Sequence, residues 1–150
     1  MTSAVQLEQV RSQPLAVVRR RAKKQELSRV VPEACGLVWN AIKQANLKGG
    51  RHVSVYLDGE INLEVGVELD APFAGSGEVV PSTTPSGAVA TATHFGPYGG
   101  LHETHQAIHD WCAKNGRTKA GPSWEIYGHW TDACDKDPSQ IRTDVFYLLK

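Results

Sequence analysis

Apolar and polar positions along this chain alternate with period two in some stretches and recur at helical spacing in others, and the same succession occurs twice. Val5 to Arg21 carries apolar residues at Val5, Leu7 and Val10, then at Leu15, Ala16, Val17 and Val18. The pattern predicts one long strand, bent or bulged at Pro14. Ala34, Cys35, Val38, Ala41, Ile42 and Ala45 then recur at helical spacing. Pro32 and Glu33 suit a first helical turn, where a missing N–H costs nothing and an acid faces the positive end. Gly49-Gly50 is expected to end this helix, Gln25–Val31 to be a turn or extra helical piece leading in, and Trp39 to lie off the centre of the apolar stripe. His52–Asp58 and Ile61–Asp70 read as two strands joined by Gly59-Glu60 in a tight hairpin. The first sets Val53, Val55 and Leu57 against Ser54 and Tyr56. The second sets Ile61, Leu63, Val65, Val67 and Leu69 against Asn62, Glu64, Gly66 and Glu68.

A Pro-, Gly-, Ser- and Thr-rich connector follows over about 71–85, with a short extended piece around Glu78–Val80. Then the order repeats. Gly87–Phe95 reads as a strand of β-branched residues and alanines. Leu101–Asn115 reads as a helix with Leu101, Thr104, Ile108, Trp111 and Cys112 on its buried stripe, stopped by Gly116. Ser123–Trp130 reads as a strand opened by Gly121-Pro122, with Trp124, Ile126 and Trp130 on one face and Glu125 and Tyr127 on the other. Thr131–Gln140 is expected to be a polar loop and Arg142–Leu149 the last strand.

Both halves are strand–helix–strand–strand, and the match extends to residues: Ala41-Ile42 with Ala107-Ile108, Ser54-Val55-Tyr56 with Glu125-Ile126-Tyr127, and Leu63-Glu64-Val65 with Thr143-Asp144-Val145. Such self-similarity outweighs any single local motif. It predicts an α+β fold in which a duplicated βαββ repeat (about 1–70 and 86–150) forms one mostly antiparallel sheet, with two helices on one face and a groove along the pseudo-two-fold. In this reading Val53, Val55, Trp124 and Ile126 supply the helix-side core, and Ser54, Tyr56, Glu125 and Tyr127 line the opposite face.

Composition narrows the function. At 150 residues the chain is expected to be a single domain, and its 16 basic and 16 acidic residues leave no net charge. No global field therefore draws it to nucleic acid or an anionic membrane. The basic run at Arg19, Arg20, Arg21, Lys23 and Lys24 is expected to be a solvated strand end. No stretch has the length of a transmembrane helix, and the N-terminus lacks a signal-peptide pattern. Three cysteines without CxxC spacing indicate neither a disulfide framework nor a zinc ribbon, so a cytoplasmic protein is expected, with Cys134 the most exposed thiol.

Candidate chemistry centres on Glu125. A carboxylate among aromatics is costly unless solvated, hydrogen-bonded or paired, and Glu125 breaks an otherwise near-symmetric surface whose counterpart is Ser54. Tyr56 and Tyr127 are its expected neighbours and Trp39 suits a groove wall. His102, His105 and His109 share a helical face at i, i+3 and i+7. That spacing suits a metal, but without carboxylate or thiolate support a solvated polar face is expected and no metal is assigned. No cofactor fingerprint occurs.

The order Phe95-Gly96-Pro97-Tyr98, a helix containing Trp111, Gly121-Pro122, Glu125-Ile126-Tyr127 and Thr143-Asp144-Val145 resembles the GyrI-like small-molecule-binding domains, which are also the effector-binding domains of AraC-type and MerR-type multidrug regulators. The resemblance covers nearly the whole chain. It implies a groove for hydrophobic, often cationic or aromatic compounds, marked by a strand glutamate that matches Glu125. Tyr127, Tyr56, Trp39, Ser54 and Tyr98 are then its expected lining. The chain resembles stand-alone members, some of which hydrolyse cyclopropane-bearing DNA-alkylating toxins and others of which protect DNA gyrase. A stand-alone, monomeric binder of xenobiotics or toxins is therefore expected. In the hydrolytic alternative Glu125 activates water while Tyr56 or Tyr127 assists; the gyrase partnership rests on resemblance alone.

Overall fold

The computed structural model describes residues 2–57, 62–129 and 131–150. The expected hairpin turn at Gly59-Glu60, the side chain of Ile61 and the facing of Trp130 lie outside these residues. The elements are β1 (Gln6–Val10), β2 (Pro14–Arg21), α1 (Leu27–Gln44), β3 (Gly49–Tyr56), β4 (Asn62–Leu69), β5 (Val79–Thr83), β6 (Gly87–Phe95), α2 (Leu101–Lys114), β7 (Lys119–Tyr127), α3 (Asp132–Lys136) and β8 (Arg142–Leu149). The eight strands form one sheet in the order β1-β6-β8-β7-β3-β4-β2-β5, every neighbour antiparallel.

That order carries the duplication. β6-β8-β7 mirrors β2-β4-β3 about the β3/β7 seam, where Ser54 pairs directly with Glu125. The two remaining strands are exchanged. β1 precedes β2 in the chain but pairs with β6, and β5 precedes β6 but pairs with β2. Residues 11–13 can span at most about 14 Å, whereas β1 and β2 would stand about 29 Å apart in a flat sheet. The sheet must therefore roll until its two edges approach. The linkers at that closure hold each other: Gln13 N–H donates to Thr84 Oγ1 (2.8 Å) and Thr84 N–H donates to the Gln13 carbonyl (3.0 Å).

Rolling buries both faces. The inner face holds Leu15, Val17, Val53, Val55, Val89, Trp124 and Ile126, with Trp124 stacked on Phe146 at 5.2 Å and 9° between planes. On the outer face α1 packs Val30, Ala34, Val38, Ala41 and Ile42 against Ala16, Val18, Leu63, Val65 and Val67. There α2 packs Ile108 and Cys112 against Ala90, Ala92 and Val145. Val79, Val18, Val65, Ser54, Glu125, Val145 and Ala92 stand in one cross-strand row, so both helices cover the same face as Glu125. This overturns the expected facing. Val53, Val55, Trp124 and Ile126 belong to the core away from the helices, and Ser54, Tyr56, Glu125 and Tyr127 lie on the helix side.

Other local expectations are corrected too. Val5–Arg21 is two strands in different halves of the sheet, because β1 is handed across to β6. Pro32 sits inside α1, which begins at Leu27, so the helix forgoes one backbone hydrogen bond there. Asn46, at φ 58°, ends the helix in the left-handed conformation, and Leu47 N–H closes on the Ile42 carbonyl; Gly49 and Gly50 open β3 instead. β7 begins at Lys119, with a register shift before Ser123 at the Gly-Pro, so Gly121-Pro122 lies within the strand. The expected polar loop contains α3, whose Cys134 is buried, while Cys35 is the most exposed of the three thiols. Arg19 and Arg20 are paired with Glu64 (2.8 Å) and Glu78 (3.1 Å).

Candidate functional site

Between the helices the row of apolar side chains is interrupted by Ser54 and Glu125. These positions lie at the seam, where neither helix covers the sheet as its own half does. Glu125 is 5% exposed. Burial of a carboxylate is sustained by donors, and three converge here. Tyr127 O–H donates to Oε1 at 2.6 Å, Tyr56 O–H reaches the same oxygen at 3.4 Å, and His105 Nε2 lies 2.6 Å from Oε2. Tyr127 also contacts Ser54 Oγ at 3.2 Å, so the pseudo-symmetric pair Ser54 and Glu125 shares one phenol.

The remaining contacts extend outward from His105. Its Nδ1 lies 2.6 Å from the Tyr147 hydroxyl, which is 3.4 Å from His109 Nε2, and His109 Nδ1 contacts the Lys119 ammonium. Lysine can only donate, so His109 Nδ1 accepts and the neutral imidazole carries its proton on Nε2. That proton points at Tyr147 oxygen. With the Tyr147 O–H directed to His105 Nδ1, a neutral His105 carries its proton on Nε2, aimed at Glu125. Every donor thus points from the ammonium toward the carboxylate, and such chains polarise one another.

Burial is the main cause of the perturbed phenols. It raises Tyr127 well above the ordinary tyrosine range, with the Glu125 charge adding to the effect. The same two causes raise Tyr56, and they push Tyr147 up to about 12. Burial lowers His109, and the neighbouring Lys119 charge lowers it further.

The structure brings the expected residues together unevenly. Glu125, Tyr56, Tyr127 and Ser54 form one hydrogen-bonded group. Tyr98, in the turn before α2, crosses Tyr127 edge-on at 5.7 Å and is exposed at its rim. Trp39 is joined less directly: its N–H donates to His52 Nε2 at 2.9 Å, and His52 is the cross-strand neighbour of Tyr127. Trp39 also lines a surface cavity of about 470 Å³ with Ile42, Leu47 and Gly49. A second cavity, of about 360 Å³, lies between Ser3, Gln6, Thr93, Arg142 and Asp144. Neither is lined by Glu125, whose surroundings are filled by His105 and the tyrosines.

His105, His109 and Tyr147 are the additions. The three histidines do not act as one solvated face: His102 contacts the Gly99 carbonyl at 3.0 Å, while His105 and His109 turn to Tyr147. The available signal was His105 at the same offset before Ala107-Ile108 as Trp39 before Ala41-Ile42. Among the described residues no group of three or more His, Cys, Asp or Glu side chains is arranged to hold a metal ion, and no helix is long and apolar enough to cross a membrane.

A family model described as GyrI-like small molecule binding domain matches residues 3–150. Among solved structures, the EcmrR C-terminal domain is similar, at 16% identity and TM-score 0.79, over 97% of this chain and 96% of that one. SAV2435, solved bound to tetraphenylphosphonium, is similar at 14% identity and TM-score 0.69, over 97% and 93%. A structure described as a hydrolase from Listeria innocua is similar at 12% identity and TM-score 0.62, over 97% and 91%. At these identities the likeness is one of fold. A search of curated proteins finds no match.

Proposed function

We propose, for a chain that belongs to the GyrI-like small molecule binding domain family, that the seam between α1 and α2 captures hydrophobic cationic or electrophilic compounds, with Glu125 as its charged centre. The observation that carries this reading is a buried carboxylate on the helix side of the sheet, at the centre of the duplication and ringed by phenols. Tyr127, Tyr56 and Tyr98 offer ring faces and edges, and cation–π contact is worth about 0.5–2 kcal/mol per ring. Ser54 and Trp39 complete the expected lining. The tetraphenylphosphonium found in SAV2435 supplies a probe of suitable chemistry. Three free thiols are compatible with action in the reducing cytoplasm. Calorimetric titration of tetraphenylphosphonium into wild type and Glu125→Gln tests the reading: the variant should bind at least about tenfold more weakly. Equal affinities would overturn it.

The imidazole against Glu125 favours a second, hydrolytic reading. A cyclopropane conjugated to a dienone can be opened by water. Glu125 takes a proton from the attacking water as its oxygen bonds to the ring carbon. The ring C–C bond breaks, and its electron pair passes through the dienone to the carbonyl oxygen. That oxygen takes up a proton to become a phenol as Glu125 releases its own, so that one water is added overall. Tyr56 or Tyr127 would hydrogen-bond that oxygen as its charge develops, and such acid–base assistance gives about 10²–10⁴-fold. Incubation with a cyclopropane-bearing alkylator should give a product heavier by one water in mass spectrometry. Recovery of unchanged compound from a saturated protein excludes this reading for that class while leaving capture intact.

A further inference from the structure

The carboxylate at the centre of the seam already has a partner. His105 Nε2 lies 2.6 Å from Glu125 Oε2, the place a ligand cation would take. We propose that His105 is the specificity-determining residue of this site: it is an internal competitor for Glu125 whose protonation decides whether the groove takes cationic or neutral ligands. The inference rests on the capture reading above.

The geometry accommodates both states of the imidazole. When neutral, His105 donates from Nε2 to Glu125 and accepts the Tyr147 O–H at Nδ1, leaving the net charge of the pair at −1. When protonated, it must donate from both nitrogens. The Tyr147 oxygen can accept the second N–H, because its own hydroxyl proton can turn to Ser123, its cross-strand partner. The pair is then neutral overall, and a ligand cation must displace an ion pair rather than a hydrogen bond charged at the carboxylate alone. With both partners charged, the ion pair is the harder of the two to displace.

The ionisable groups around His105 are Glu125, Tyr127 and Lys119 on β7, Tyr56 on β3, Tyr147 on β8 and His109 on its own helix. Burial holds the three phenols neutral through the physiological range, and Lys119 opposes charge on His109. His105 is therefore the imidazole in direct contact with Glu125, and a proton gained there changes the charge presented to a ligand.

The test measures affinity for tetraphenylphosphonium and for neutral triphenylphosphine oxide at pH 8.5 and 5.5. In wild type the phosphonium should bind at least about tenfold more weakly at the lower pH, while the oxide changes little. In His105→Gln the phosphonium affinity should lose its pH dependence. In His105→Lys, which keeps a cation beside Glu125 throughout, it should be weak at both. The Lys variant predicts the opposite direction from Gln, so poor folding of one leaves the other decisive. A pH slope that survives in His105→Gln, or disappears in His109→Gln alone, overturns the assignment to His105 while the capture reading stands. Phosphonium affinity indifferent to Glu125→Gln sinks both.

Discussion

Two residues before Ala41 in the first helix stands Trp39, and two residues before Ala107 in the second stands His105; each reaches across to the sheet beneath. Trp39 donates to His52, and His105 meets Glu125. In the first half the helix then sits on a wholly apolar patch, Ala16, Val18, Leu63, Val65 and Val67, and the seam position is a serine. In the second half the apolar patch is smaller, centred on Ile108, Cys112, Val145 and two alanines, and polar side chains occupy the difference. One half is built for stability, and the other gives up apolar contact to hold a carboxylate, two imidazoles and a phenol. Duplication explains how this is tolerated: the rolled sheet has a second core on its inner face, shared by both repeats.

The comparison can be broken at the equivalent isoleucines. Ile42 and Ile108 are both fully buried, and Ile→Ala at such a position costs about 2–5 kcal/mol. Chemical denaturation should find both variants within this range, with Ile42→Ala the costlier because its neighbours form the larger cluster. Only Ile108→Ala, one turn from His105, should also weaken tetraphenylphosphonium binding at a pH where the protein remains folded. Equal loss of binding from both would show that the two halves contribute alike.

A sharper test restores the symmetry. Ser54→Glu places a second carboxylate directly across the seam from Glu125. Opposed like charges on neighbouring strands repel, and two buried carboxylates at this spacing hold one proton between them. The variant should lose about 3 kcal/mol at pH 7 and recover part of it at pH 5. A variant as stable as wild type at pH 7 would mean that the seam is wetter than the burial of Ser54 and Glu125 implies.

Much of this asymmetry was legible in the sequence, and the reason for the failures is physical. β6 and β8 have the predicted limits, and the Ser54–Glu125 equivalence became a direct cross-strand pair. Periodicity separates Trp124 and Ile126 from Glu125 and Tyr127 but does not say which set meets the helices. The usual assumption, apolar set under the helix, fails because rolling buries the other face as well, so an apolar set has a core to enter on either side. Rolling follows from the exchange of β1 and β5, a long-range pairing with no local signature. His105 was missed for a related reason. Along a helix an imidazole reads as polar and therefore solvated, and the carboxylate that turns it inward lies twenty residues later on another element.

A modest effect comes from the phenol side. Tyr127→Phe removes the 2.6 Å donor to Glu125 and the contact to Ser54. Losing a hydrogen bond to a charged group costs about 1.5–3 kcal/mol, read as a lower denaturation midpoint. The first-half equivalent, Tyr56→Phe, removes only a 3.4 Å contact and should cost less. If the two are equal, Glu125 is not tied more strongly to its own strand than to its pseudo-symmetric partner.

The smallest expected effect concerns Tyr147, whose first-half equivalent on β4 is the apolar Val67. Its folded value is pushed up to about 12, against 10 for an ordinary tyrosine, chiefly by burial. Above pH 10 the unfolded chain releases this proton while the folded chain retains it. The folded state then binds more protons, so stability falls as pH rises. The contribution is fully present below pH 10 and is lost through about pH 12. Tyr147→Phe should cost about 1 kcal/mol at neutral pH, because His105 Nδ1 loses its donor. In exchange the variant should lose less stability than wild type between pH 10 and 12, though not none, since Tyr56 and Tyr127 are raised as well. Denaturation midpoints at pH 8, 10 and 11.5 read this directly. Parallel wild-type and variant curves would mean that Tyr147 reaches water freely, and the donor chain from Lys119 to Glu125 would then be broken at its middle link.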